Sequence, residues 1–490
     1  MPKKISIIGS GFSGLSAAAC LAHQGHAVNV FEKNAIPGGR ARQFQAEGFT
    51  FDMGPTWYWM PEVFEQFYNQ FGHKSSDFYE LKRIDPSYRV FFGKDDFINV
   101  PASMEGMYEM VEGMEPGSAP KLKKYLQEAE RKYQIGMGEF VYKPGLSFTE
   151  FLDVRLLKDV FRLNIFQSMK SYVAKYFSNP RLQHILEFPV LFLGAKPAET
   201  PALYSLMNYA EWSLGTWYPV GGMFKIVAAL TEICKENGVQ FHLENEVYKI
   251  HLSGNKIHEL ETDLGKFHSD VAIGSADYHH VEQQILPASH RMYSPKYWDS
   301  RQLSPTCLIF YLGLNKKLDG LLHHNIFFDA DFSKHLAEIY DSPQWPENPL
   351  FYVCSTSKTD DSTAPKGCEN LYLLVPVAPG LKDTEEERER IFRVVMQRLE
   401  HLIGEHVAQH ITFKRSFAHN DFSTDYKAFK GNGFGLANTL MQTAIFKPKM
   451  RSKKIKNLFY AGQLTAPGPG VPPSLISGQV AAKLVAEYLK

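Results

Sequence analysis

At 490 residues the chain exceeds what one ordinary hydrophobic core sustains, and two or three domains are expected. Its 44% hydrophobic and 22% charged residues exclude a disordered chain, and 53 basic against 53 acidic side chains leave no net field to draw nucleic acid. The five cysteines (Cys20, Cys234, Cys307, Cys354 and Cys368) are scattered without C-x-x-C or metal-ligand spacing, which excludes a disulfide framework, predicts no metal and fits a reducing cytoplasm.

Ile5, Ile7 and Ile8 predict a short apolar strand. Gly9, Gly11 and Gly14 follow as G-x-G-x-x-G, with Ser10, Phe12 and Ser13 between them. The first glycine permits a tight turn and the second lets backbone approach a pyrophosphate, while the third lets the next helix pack closely on the sheet. That helix is expected from about Ser13 to His23, and Val28, Val30 and Phe31 form the next strand, closed by Glu32 and Lys33. Glu32 lies eighteen residues after Gly14, where a carboxylate accepts hydrogen bonds from an adenosine ribose and disfavours a 2′-phosphate. The ligand is therefore predicted to be FAD or NAD, not NADP. Residues 5–31 lack charged side chains and follow Lys3-Lys4, as in a secretory signal. Four glycines break the apolar run, however, and its helix is too short to span a bilayer. Six residues after Glu32 comes Gly38-Gly39-Arg40-Ala41-Arg42.

Phe49 and Phe51 alternate as a strand, Gly54-Pro55-Thr56 makes a turn, and a helix is expected from Pro61 with Phe64, Phe67 and Phe71 on its core face. Trp57 and Trp59, on the turn itself, read either as core or as the lining of an apolar substrate passage. Residues 86–101 alternate like strands and begin a second domain. Met104 to about Ser213 is largely helical, and its strongly apolar piece Phe188–Gly194 fits plain core or a surface dipping into lipid.

Gly215–Ile226 contains Trp217, grouped with Trp57 and Trp59 as a substrate-lining candidate. A helix to about Asn237, a strand through Gln240, His242 and Glu244–Val247, and a strand at Asp270–Gly274 ending in Ser275-Ala276-Asp277 follow. Residues 304–445 hold five strand-like runs with one amphipathic helix, Glu385–Ile403, which predicts an antiparallel sheet backed by helices. Phe446–Lys456 carries six basic residues and reads as a solvated loop or as a contact for an anionic membrane. Leu458–Ala461 predicts a last strand, Gly462 closes it, and a helix starts near Ser474 after the stiff loop Gly468–Pro473. Residues 457–482 are the second long stretch without charge, so one cofactor gripped by backbone groups from both chain ends is expected.

The G-G-R-x-R continuation resembles the FAD-dependent amine oxidase and carotenoid desaturase superfamily. Over essentially the full length, GFTFDMGPTWYWMP, EFPVLFLGAKP, WYPVGGM, SADYHHVE, DDSTAPKG and NLFYAGQLTAPGPGVPPSLISG resemble bacterial phytoene desaturases. The resemblance implies an α/β fold. Its Rossmann-type FAD domain would be assembled from 1–85, 215–300 and 455–490, with an α+β substrate domain from 86–103 and 301–454. A helical subdomain at 104–214 would be open to membrane contact. It implies FAD held by the residues from Gly9 to Gly14, by Glu32, Lys33 and Gly38 to Arg42, and by Gly54, Pro55, Thr56, Ala276, Gly462, Val471 and Pro472. Val247 would touch the adenine side, or serve as simple strand core. The last helix would aim its N–H groups at the flavin ring. Gly462-Gln463-Leu464-Thr465 departs from the family's usual G-A-G-T.

The activity implied is successive desaturation of phytoene to lycopene, with hydride passing to FAD N5. No second G-x-G-x-x-G and no paired redox cysteines occur, so electrons would leave to quinone or oxygen. Glu150 occupies a position where the family often carries a carboxylate, and reads as proton acceptor or as an exposed helix glutamate. The expected location is the cytoplasm, peripherally on the inner face of the cell membrane. Three alternatives stand: an enzyme for another carotenoid, hydroxylated or C30; a flavin amine oxidase using the Glu211–Tyr218 segment; and a flavin-free prenyl-lipid carrier. The oligomeric state is left open.

Overall fold

The computed structural model describes residues 1–147, 150, 163–191 and 194–490. Five parallel strands form the nucleotide-binding sheet: β1 (Lys4–Ile8), β2 (Ala27–Phe31), β3 (Gln240–His242), β4 (Val271–Gly274) and β5 (Leu458–Tyr460), in the order β5-β4-β1-β2-β3. Ile7 sits in register between Ile273 and Val30, so the centre of the sheet is apolar on both sides. The crossover helix α1 (Phe12–His23) is covered in turn by α2 (Val471–Leu489), and Leu15, Ala17, Ala18, Ala19 and Leu21 are fully buried. This close layering depends on missing side chains. A Cβ on Gly14 would lie 2.1 Å from Gly9 O, and one on Gly478 would lie 2.1 Å from Ser13 O. Ser16 Oγ donates to Leu475 O at 2.8 Å across the same contact.

The strand expected through residues 240–247 is two strands. Gln240–His242 joins the parallel sheet, while Val247–Ser253 opens a separate three-stranded antiparallel sheet. The break is local: Glu244 takes a left-handed φ of 50°, and Glu244 and Asn245 donate their backbone N–H groups to Asn34 O and Glu32 O.

The second large sheet has seven strands, in the order Ile411–Phe417, Thr306–Leu314, Glu369–Val377, Phe351–Cys354, His324–Phe327, Tyr88–Gly93 and Asp96–Val100. It is not purely antiparallel, because His324–Phe327 pairs parallel to Tyr88–Gly93, with Ile326 opposite Val90. The chain between them passes through the helical and nucleotide-binding segments, long enough for a parallel return. Side chains alternate along Thr306–Leu314. Leu308, Phe310 and Leu312 pack under helix Glu385–Ile403 with Ile391, Val395 and Leu399. Ile309 and Tyr311 face the other way, toward the nucleotide-binding side. Thr384 caps that helix and Gly404 ends it in the left-handed region.

Helices Met104–Met114, Ala119–Ile135 and Pro180–Leu191 lie in the helical segment. The apolar piece beginning at Phe188 is helical to Leu191, and residues 192–193 lie outside the described residues. Among the described residues no helix is long and apolar enough to cross a membrane.

Candidate active site

One cavity runs from the carboxyl ends of β1 and β2 to the inner face of the seven-stranded sheet. Its polar end is lined by Gly9 to Ser13, Glu32, Lys33 and Gly38 to Ala41, together with Val247, Ala276, Gly462 and Val471 to Ser474. Segments far apart in sequence therefore meet around one ligand-sized space.

Each glycine has its own reason. Gly9, at φ 98°, turns so tightly that a Cβ would meet Ala276 N at 2.8 Å. A Cβ on Gly11 would meet nothing within 4 Å; its Cα faces the cavity, where a pyrophosphate would approach the backbone. Gly54 is needed because a Cβ there would stand 2.3 Å from Arg40 O, so the Gly54-Pro55-Thr56 turn rests directly on the arginine segment. Gly14 is a packing residue against Gly9 and does not line the cavity.

Glu32 is 5% exposed and held by four donors. Ser10 N (3.0 Å) and Oγ (2.7 Å) bind Oε2, and Asn34 N (2.9 Å) and Nδ2 (2.8 Å) bind Oε1. The carboxylate is thereby fixed at the cavity wall. Arg40 is half-buried; its Nη2 donates a long bond to Asn432 O (3.3 Å), and its Nε has no partner among the described residues. Burial lowers its pKa, and Asp277 opposes that. Such a cation with unspent donors suits the diphosphate of a dinucleotide. FAD fits this end. Ser10, Gly11 and Phe12 would take the diphosphate with Arg40, Glu32 the ribose and Val247 the adenine side.

Two expected contacts are placed differently, while Lys33 keeps its place. Arg42 turns away to pair with Asp425 and stacks over Tyr426 at 5.3 Å. It therefore buttresses two wall residues and does not line the cavity. Lys33 is on the wall, with Nζ donating to Thr424 O at 2.5 Å. The last helix starts at Val471, earlier than Ser474, and its first turn contains Pro472 and Pro473, which have no N–H. Ser474 N is spent on Gly470 O. The helix dipole still points into the cavity, but Val471 is its chief available donor.

The other end of the cavity is apolar: Trp57, Trp59, Phe188, Leu191, Ile326, Phe328, Leu336 and Leu374 line it, with Tyr352 and Tyr372 among them. Trp57 stacks on His324 at 4.0 Å and 10°, and Trp59 donates its indole N–H to Thr216 Oγ1 at 2.9 Å. Trp217 is not on this wall; its indole donates to Leu214 O and Arg83 lies over its ring. Among the described residues, Asp and Glu line only the polar end. His335, at the apolar end, is spent in both directions: Nε2 donates to Pro376 O at 2.9 Å and Nδ1 accepts from Leu350 N at 3.0 Å. Burial lowers its pKa to about 4.

Glu150 is not a wall residue. Its carboxylate accepts from the backbone N–H groups of Gly145, Leu146 and Ser147 at 2.9, 2.7 and 3.1 Å, closing a turn. Glu211 is also off the cavity, fully buried in the π-helical turn Tyr209–Ser213, and burial pushes its carboxyl up to about 8. Sequence reasoning missed His323 and His324, whose adjacency was the available signal, and Tyr352, an unremarked strand residue.

A family model described as flavin containing amine oxidoreductase matches residues 12–486. The carotenoid 3,4-desaturase of Haloarcula japonica is 38% identical, over 99% of this chain and 98% of that protein. The zeta-carotene-forming phytoene desaturase of Myxococcus xanthus is 32% identical, over 99% and 94%. An oxidoreductase structure from Methanosarcina mazei shares the fold at TM-score 0.63 and 16% identity, covering 97% of this chain and 99% of that one. The chain belongs to the flavin-containing amine oxidoreductase family, on its carotenoid desaturase side. Its cofactor is FAD.

Proposed function

We propose that the protein is an FAD-dependent desaturase of acyclic carotenoids, and that phytoene, taken toward lycopene, is its first substrate to test. The observation that carries this reading is one cavity joining the dinucleotide cradle to an apolar arm that, among the described residues, carries no carboxylate. A polyene needs such an arm; an ammonium substrate would find no anionic partner on it among the described residues. When bound, FAD supplies the hydride acceptor. The chain's own residues do the rest by position. Trp57, Phe188 and Leu374 hold a hydrocarbon and keep water out, so that proximity replaces the polar handle a hydrocarbon lacks. Glu32, Arg40 and the helix ends hold the cofactor at the arm's inner end.

A second reading, desaturation at the 3,4 bond, is favoured by the 38% identity to the Haloarcula japonica enzyme. Electron delivery to quinone or oxygen, and attachment to the inner membrane face, belong to the same proposal, since the substrate is dissolved in lipid. The test is incubation of FAD-loaded protein with phytoene in liposomes, under air or with added quinone. Coloured polyenes are expected, and chromatography of the products separates lycopene from partly desaturated or 3,4-desaturated ones. Colourless product from phytoene, beside conversion of a 1,2-saturated longer polyene, would select the second reading.

A further inference from the structure

We propose that His323, His324 and Cys354 form a zinc site in the wall of the substrate cavity. His324 and Cys354 are cross-strand partners in register, and His323 directly precedes the strand. One nitrogen from each imidazole and Cys354 Sγ lie within 4.8 Å of one another. The three residues are 3%, 0% and 1% exposed.

The hydrogen bonds fix which nitrogen is free. His323 Nδ1 meets Thr359 Oγ1 at 2.7 Å, and His324 Nδ1 meets the Tyr352 hydroxyl at 2.6 Å. Tyr352 donates its own proton to Thr56 Oγ1 at 3.0 Å, so toward His324 it accepts. His324 therefore carries its proton on Nδ1 and presents a bare lone pair at Nε2. Among the described residues, neither Nε2 has a hydrogen-bond partner. Ligand histidines are ordinarily arranged this way, one nitrogen to the metal and the other N–H to an oxygen acceptor.

Two imidazoles and one thiolate suit zinc, with water completing four ligands. Tetrahedral zinc at about 2.0–2.3 Å from its ligands sets donors roughly 3.3–3.6 Å apart, so the side chains close inward by about 1 Å. Binding releases the Cys354 proton to solvent, and the ion with one thiolate keeps a single positive charge. Asp360, 5% exposed, supplies a balancing negative charge nearby. It accepts from Tyr218 OH at 3.1 Å, and the Tyr218 ring packs edge-on to His323 at 4.9 Å. The ion would tie together two strands whose residues Tyr352 and, through stacking on His324, Trp57 form the cavity wall. Its role is to brace that wall, with no part in electron transfer.

The full-length FAD-loaded protein is stripped with chelator, dialysed against zinc or cobalt(II), and passed through a desalting column. One zinc per chain is expected, together with ligand-field bands of tetrahedral cobalt to the red of the flavin absorption. Zinc should also raise the melting temperature. Cys354→Ser and His323→Gln should hold less than a tenth of an equivalent, while Cys368→Ser binds as the wild type does. Flavin absorbance confirms that each variant is folded. Wild-type protein that retains no zinc, or Cys354→Ser giving the wild-type cobalt spectrum, would overturn the assignment.

Discussion

Replacing Gly478 by alanine drives a methyl group into the closest contact between the two ends of the chain. The new Cβ would stand 1.9 Å from Ser16 Oγ and 2.1 Å from Ser13 O. The serine hydroxyl can rotate, but the carbonyl belongs to the first turn of α1 and cannot. Ordinary contact begins at 3.4 Å, so α2 must retreat by about 1.3 Å. Overpacking of this kind costs about 1–3 kcal/mol, and losing the Ser16–Leu475 bond adds about 1. The better helix preference of alanine returns about 1 kcal/mol. The net destabilisation is roughly 1–3 kcal/mol, enough to lower the melting temperature by about 1–3 °C in a chain of this length. Because Val471 to Ser474 ride on the same helix and line the cavity, FAD affinity should fall with stability, on the order of tenfold. Differential scanning fluorimetry and fluorescence titration with FAD measure the two effects. Gly113→Ala is the control: it lies in helix Met104–Met114 with nothing within 4 Å of its Cβ, and should be neutral or slightly stabilising. Wild-type stability and FAD affinity in Gly478→Ala would refute the split-site packing.

Glu32→Gln should weaken FAD binding by about 10- to 100-fold, since it removes a charged acceptor and turns an amide toward N–H donors; fluorescence titration checks this. Trp57→Ala should leave FAD affinity within twofold while kcat/KM for a carotene in liposomes falls at least tenfold, because the lost ring stacks on His324 and faces the apolar arm. Glu211 gives a pH test. Its folded pKa, raised to about 8 by burial, exceeds the ordinary 4.5, so its stabilising effect is complete below pH 4.5 and is lost as pH rises toward 8. Glu211→Gln lacks that titration, so melting temperatures should shift in the variant's favour between pH 5 and pH 8. An unchanged difference would show that Glu211 is ionised in the fold.

The two charge-free ends of the chain were legible because backbone chemistry dictates them. Gly9, Gly11 and Glu32 line the cavity and Gly14 packs against Gly9, and strand alternation marked Thr306–Leu314. What sequence spacing could not reveal was direction. Arg42 and Trp217 carry suitable chemistry but point elsewhere, toward Asp425 and beneath Arg83. Glu150 reads from sequence as a proton acceptor or an exposed helix glutamate, and three backbone donors hold it in a turn. The same blindness to tertiary pairing hid the cross-strand meeting of His324 and Cys354, thirty residues apart. Glu244 broke a predicted strand through a left-handed residue that no propensity announces.

In the proposed reaction a carotene in the apolar arm delivers its electrons directly to the flavin. Anaerobic mixing of FAD-loaded protein with phytoene liposomes tests it in one step. The flavin absorbance should bleach as longer-wavelength polyene bands appear, and added quinone should restore the flavin and drive further desaturation. A flavin that stays oxidised with every carotene offered, yet bleaches with a simple diamine, would rule out carotene desaturation and point to an amine substrate.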